Sequence, residues 1–187
     1  MNLYIDMDST VFDYFNAYKE AHYRETGAYL SISEESVDGY HGINELFGVP
    51  DEEKYKYLTE EFFENMKPYE DSIDSINTIK EVYDLNIYFV SHAVTLDAYK
   101  GKVKSLQKHF PDWFEFDKHL IIMRDKHILT SGIIVDDNPF VINNSWRHHK
   151  TVVFDKPWNR KDVIFNYRAK NWKYVIEAID ILTGGEI

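Results

Sequence analysis

The chain has 187 residues and a net charge of −11, with 21 Lys and Arg against 32 Asp and Glu. Hydrophobic residues make up 44% and aromatics 16%, enough for a packed core, which excludes disorder. The acidic balance argues against a nucleic-acid partner, and the absence of cysteine excludes disulfides, thiolate metal sites and a cysteine nucleophile.

No apolar run approaches the roughly 20 residues of a membrane span. Asp6 and Asp8 stand where a signal peptide needs a hydrophobic stretch. A cytoplasmic protein without a membrane partner is expected, and the length suits one domain. A homodimer is left open.

In chain order, Leu3 to Asp6 reads as a buried strand that stops at acidic and hydroxyl residues. Thr10-x-x-Asp13 has the form of a capping box opening a helix over 13–26, closed by Gly27. From 28 to about 70 no β-branched run occurs. Pro50-Asp51 predicts a helix start, running to Met66 and closed by Lys67-Pro68, so about 15–70 reads as a small helical cap inserted after the first strand.

The alternation then resumes. Helices are predicted over 72–83, 95–109, after Pro139, and over 172–182. Strands are predicted over 86–91, 119–123, 132–136 and 151–154. Strands alternating with helices imply an α/β fold with a doubly wound parallel sheet, here in one domain over 1–187.

Three of these strands end in polar residues: Asp6-Met7-Asp8-Ser9-Thr10, Ser91-His92, and Asp136-Asp137-Asn138. Singly, each is an ordinary helix cap or turn. In open parallel sheets, however, ligands sit beyond the strand C-termini, so the three ends can meet at one site. Two like charges ~4 Å apart cost about 4 kcal/mol at an effective dielectric of ~20, so converging carboxylates call for a cation. Hard oxygen donors without Cys select Mg²⁺, which completes its shell with water and a substrate phosphate.

These residues carry a resemblance. Asp6-x-Asp8-x-Thr10, Ser91, Lys126 and Asp136-Asp137 occur in the order of motifs I to IV of the haloacid dehalogenase superfamily of aspartyl-phosphate phosphatases. Arg124-Asp125-Lys126, Ile134 to Asp137, and Phe154 to Arg160 are similar to the 5′(3′)-deoxyribonucleotidase family. The resemblance implies that Asp6 is the nucleophile and Asp8 the general acid and base, the latter first protonated in a crowded negative site. It implies that Ser91 and Lys126 bind phosphate. It also implies that Mg²⁺ is held by Asp6, the Asp8 carbonyl and Asp137, with Asp136 in support. Ser9 departs from the glycine usual there, and Ser91-His92-Ala93 from a Thr-Ser-Pro type of sequence. His92 is read either as a phosphate contact or as a helix cap.

Tyr14 matches an aromatic of that family's pattern and is the first candidate for stacking on a base. Tyr40, Phe47, Tyr55, Tyr57, Phe62 and Phe63 are read chiefly as a cap core. Arg147, His148, His149 and Lys150 read as a solvated basic loop, and Trp113, Trp146, Trp158 and Trp172 as packing residues. The expected activity is Mg²⁺-dependent hydrolysis of a small-molecule phosphomonoester, a 5′(3′)-(deoxy)nucleoside monophosphate. A sugar phosphate is the alternative substrate, and a non-catalytic phosphate-binding module the alternative class.

Overall fold

The computed structural model describes residues 1–41, 43–50, 53 and 55–185, with positions 43 and 44 described by backbone alone. Six strands form one sheet: β1 (Asn2–Ile5), β2 (Asn86–Ser91), β3 (Leu120–Ile122), β4 (Gly132–Asp136), β5 (Lys150–Phe154) and β6 (Tyr167–Ala169), in the order β3-β2-β1-β4-β5-β6. All neighbours are parallel, with Ile5 level with Phe89 on one side and Val135 on the other. The chain builds outward from β1 in one direction, then returns and builds outward in the other. The switch point therefore lies between β1 and β4, where a crevice opens beyond the strand ends.

Side-chain alternation divides the core between the two faces of the sheet. Leu3, Ile5, Ile87, Phe89, Ile133, Val135, Val152 and Phe154 belong to the larger cluster. It takes in buried residues of α4 (Ser72–Val82), α5 (Leu96–His109) and α8 (Trp172–Thr183). Tyr4, Val90, Ile134 and Val153 face the other way, against Val141 and Ile142 of α7 (Pro139–Ser145). A four-residue helix, α6 (Phe116–His119), leads into β3.

Between β1 and α4 the chain leaves the sheet. Helix α1 (Tyr14–Thr26) starts at Asp13, whose carboxylate accepts from the Asn16 N–H, and ends at Gly27 with φ 69°. Thr10 is thus not its cap: Thr10 is buried in a tight turn, where the Val11 and Phe12 N–H groups both bond to the Met7 carbonyl. The expected helix from 51 to 66 is also shorter. Successive turns bury Tyr57 and Leu58, Thr59 recaps the chain, and of the described residues in that span only α3 (Glu60–Glu64) is helical; positions 51, 52 and 54 lie outside the described residues. A further short helix, α2, spans Ile43–Phe47 and a 3₁₀ turn Glu34–Ser36.

Aromatics hold the segment together, with Tyr18 stacked on Phe47 at 4.5 Å and Tyr57 edge-on to Tyr18. Its two ends meet where Phe12 bridges Pro68, the Asp13 N–H bonds Lys67, and the Tyr69 N–H bonds Val11.

Two packing assignments change. His149 is buried beneath the loop, edge-on to Tyr4 at 6.0 Å, while Arg147, His148 and Lys150 are exposed. Trp146 is exposed, whereas Trp172 is fully buried and donates to the Thr10 carbonyl.

Helix Glu60–Glu64 lies against α5 at Gly101, where an added Cβ would stand 2.3 Å from the Glu60 carbonyl oxygen and 2.8 Å from Phe63 Cβ. Gly101→Ala should therefore lower stability by about 1–3 kcal/mol through overpacking, outweighing the helix-propensity gain of ~1 kcal/mol. Denaturant midpoints check this; an unchanged midpoint would mean that the two helices separate freely.

Candidate active site

The β1–β4 pairing determines the site. The Asp6 N–H bonds the Val135 carbonyl at 2.9 Å, which sets Asp6 beside Asp136 and Asp137 at the neighbouring strand end. Asp6, Asp136 and Asp137 are all buried, and one oxygen from each lies within 4.8 Å of the others. Beyond Asp6 the chain turns at Ser9, whose φ of 62° is uncommon outside glycine and costs of order 1 kcal/mol.

One ammonium bonds two of the three. Buried Lys126 donates to Asp6 Oδ1 and, at 2.7 Å, to Asp136 Oδ2. Asp136 Oδ1 accepts from the Asn138 N–H at 2.8 Å. Asp137 receives only neutral donors among the described residues: the Trp158 indole at 2.9 Å on Oδ2 and the Thr10 hydroxyl at 3.5 Å on Oδ1. Asn159 holds the Asp137 backbone carbonyl at 2.7 Å.

The electrostatics follow from burial. Loss of solvent pushes Asp6 up to about 7; Lys126 opposes this, and Asp136 and Asp8 add to it. Burial, then Asp6 and Asp136, hold Asp137 well above the usual carboxylate range. Burial pulls the Lys126 ammonium down, but Asp136 and Asp6 outweigh it and its affinity for the proton rises. Three clustered carboxylates against one ammonium leave negative charge to be met. Their hard oxygen donor set fits a divalent cation such as Mg²⁺.

Asp8 lies apart from this trio. Both its oxygens accept from Lys102 Nζ, at 2.6 and 2.5 Å, and the same ammonium donates to Ser91 Oγ at 2.9 Å. The Lys102 side chain is fully buried, with its ammonium 4.4 Å from the centre of the Phe63 ring. The crowding expected at Asp8 thus falls on Asp6 and Asp137, while Asp8 has an ammonium partner of its own.

Sequence reading missed Lys102, although its position carried a signal. Ala98, Gly101, Lys102, Ser105 and Leu106 form the buried stripe of α5, and lysine is the one charge on it. Trp158 was also missed as a site residue; it is more than a packing group.

A cavity of about 730 Å³ opens over these groups and includes Asp6, Asp8, Ser91, Lys126, Asp136 and Asp137 in its walls. Tyr14, Tyr40, Tyr55 and Phe140 give it an aromatic side. Burial and then Asp8 raise the Tyr14 hydroxyl well above its ordinary value. Tyr40 is raised by burial and then by Asp137. His92 lies at the exposed rim, its proton affinity lowered by burial and by Arg124 and Lys102. It does not cap α5: Thr95 does, accepting from the Ala98 N–H at 3.0 Å.

Solved structures share this architecture. A haloacid dehalogenase-like hydrolase from Burkholderia xenovorans LB400 superimposes with a TM-score of 0.62 at 11% identity, covering 94% of each chain. The HAD-hydrolase YfnB from Bacillus subtilis, solved bound to magnesium, gives a TM-score of 0.64 at 15% identity over 96% of this chain and 98% of its own. A HAD hydrolase of family IA, variant 3, from Entamoeba histolytica gives 0.55 at 15% identity over 98% and 99%. At these identities the likeness carries the fold, which is that of the haloacid dehalogenase-like hydrolases.

No curated protein sequence matches the chain. Residues 1–183 match the family model described as 5′ nucleotidase, deoxy (pyrimidine), cytosolic type C protein, and the chain belongs to that family of phosphatases.

The raised Asp6 gives a pH signature in the cation-free protein. The unfolded chain loses this proton near 3.8 and the folded chain near 7, so the folded state binds more protons between them. Stability contributed by Asp6 is fully present below about pH 4 and is lost as pH rises through about 7. Asp6→Asn removes this titration. With chelator present, the melting temperature of wild type relative to the variant should fall from acid to neutral pH; a constant difference would show that Asp6 titrates normally.

Proposed function

We propose that the protein hydrolyses 5′(3′)-(deoxy)nucleoside monophosphates through an aspartyl-phosphate intermediate, with Mg²⁺ as cofactor. The observation that supports this most strongly is the meeting of Asp6, Asp136, Asp137 and Lys126 at the floor of a cavity with an aromatic side wall. Its volume of about 730 Å³ is in the range of small-molecule sites. The segment 15–70 acts in this reading as the cap that covers the substrate, and Tyr14 as a stacking surface for the base. The family's description supports a cytosolic location. Among the described residues no helix is long and apolar enough to cross a membrane.

In the first step an oxygen of Asp6 attacks phosphorus in line, and the bond to the nucleoside oxygen breaks as Asp8 gives that oxygen a proton. In the second, water attacks the aspartyl phosphate and yields a proton to Asp8, which regenerates the Asp6 carboxylate and releases phosphate. Lys126 and Ser91 hold the phosphoryl oxygens. Lys102, already bonded to Ser91 and Asp8, supplies a second positive charge and is freed from Asp8 when that carboxylate takes up its proton. His92 at the rim can add a contact to the same group. Asp6 and Asp137, with the Asp8 carbonyl, would hold Mg²⁺, and Asp136 supports them through Lys126. When bound, the cation neutralises excess carboxylate charge and polarises the phosphoryl group.

Phosphate release from a panel of nucleoside monophosphates and sugar phosphates, with Mg²⁺ and with chelator, tests this reading. Mg²⁺-dependent turnover favouring nucleotides is expected. Preference for sugar phosphates would replace the substrate, and no release by folded protein would overturn the catalytic reading. Asp6→Asn should abolish turnover with folding retained, and full activity in that variant would end the aspartyl-phosphate route. Tyr14→Ala should raise KM for nucleotides about tenfold, in line with one lost stacking contact, and leave KM for a small synthetic phosphate ester nearly unchanged. Equal effects on both substrates would remove Tyr14 from base recognition.

A further inference from the structure

The loop after β5 grips the same aspartate twice. The Trp158 indole N–H donates to Asp137 Oδ2 at 2.9 Å, and the Asn159 amide donates to the Asp137 backbone carbonyl at 2.7 Å and to the Phe154 carbonyl at 2.8 Å. The loop is itself fixed. Arg168 bonds Asn159 Oδ1 and its carbonyl, each at 2.9 Å. Lys156 bonds Glu34 at 2.9 Å and the Tyr69 hydroxyl at 2.5 Å, with its ammonium 4.0 Å from the Tyr69 ring centre and 5.8 Å from those of Phe154 and Trp158. The indole has little freedom to drift, and it is nearly buried.

The kind of donor matters. Lys126 bonds Asp6 and Asp136 and acts on Asp137 only through space, and no cationic side chain bonds Asp137 among the described residues. An indole N–H orients a carboxylate and adds no charge to it. Asp137 is therefore fixed in direction while no ammonium is bonded to it in the place a cation would take. Outer hydrogen bonds of this type hold metal ligands in place, and their loss typically weakens a metal 10–100-fold.

We propose that Trp158 is a positioning residue for the divalent cation, holding Asp137 in the rotamer that brings one of its oxygens to Asp6 and Asp136. The inference rests on the cation site proposed above. Mn²⁺ or Mg²⁺ binding to the full chain without substrate, measured by calorimetry, tests both. Trp158→Phe keeps an aromatic ring and removes the donor. Its dissociation constant should rise about 10–100-fold, while its melting temperature in chelator stays close to that of wild type. Equal affinity in variant and wild type would overturn the role of Trp158, and no binding by wild type would instead overturn the cation site beneath it.

A second measurement does not depend on the variant folding. Of the four indole N–H groups, that of Trp158 alone among the described residues has a carboxylate acceptor. In assigned wild-type spectra its resonance should shift on Mg²⁺ titration as the cation draws charge from Asp137. An unmoved resonance during saturating binding would sink the proposal.

Discussion

Three buried carboxylates meet at the centre of this protein beside one ammonium, which bonds two of them, and much of the structure follows from keeping them together. At an effective dielectric of ~20, each like-charged pair near 4 Å costs about 4 kcal/mol. Lys126 offsets part of that cost by bridging Asp6 and Asp136 across the seam between β1 and β4. In sequence 129 residues lie between Asp6 and Asp136, and it is the register of Ile5 against Val135 in the sheet that brings them together. Apolar residues on both faces of those two strands supply the burial that makes the register firm.

The second lysine divides the site into two electrostatic compartments. Lys126 belongs to the carboxylate trio, and Lys102 to Asp8 and Ser91. In the proposed reaction a phosphoryl group between them would meet positive charge from two directions, and the Asp8 carboxylate remains outside the carboxylate cluster that could hold a cation. This separation would suit the acid and base role proposed for Asp8, since a carboxylate bound to a cation cannot also serve as a free acid. Lys102 can stay buried because Asp8 and Ser91 satisfy it and the Phe63 ring faces its charge.

Strands, and the residues at their ends, were legible in the sequence because a parallel sheet buried on both faces writes itself as short apolar runs. β6 was not, since Tyr167–Ala169 is a three-residue edge strand with no such run. Thr10 matched a capping pattern that Asp13 fulfils, as the chain first makes the turn at Met7 to Phe12. Lys102 and Trp158 escaped for a common reason: each is far in sequence from the aspartate it contacts, and only α5 and the loop after β5 bring them to it. His149 escaped likewise, because its neighbours Arg147, His148 and Lys150 are the solvated residues expected of that loop.

Among the described residues, three ion pairs of one polarity join the segment over the cavity to the loop after β5: Glu34–Lys156, Glu35–Arg160 and Asp38–Lys161. They are not equivalent. Glu35 and Arg160 are 70% and 48% exposed and Asp38 and Lys161 77% and 74%, so solvent screens both pairs to within about 0–1 kcal/mol. Lys156 is 7% exposed and has the Tyr69 hydroxyl and ring as further partners, so removing Glu34 would leave a nearly buried ammonium without the one carboxylate that bonds it among the described residues. The firm attachment is therefore the one two residues from Trp158, and the rim pairs add little to it. The same lysine that fastens the segment also steadies the indole on Asp137, so that the wall of the cavity and the floor beneath it are held by one loop.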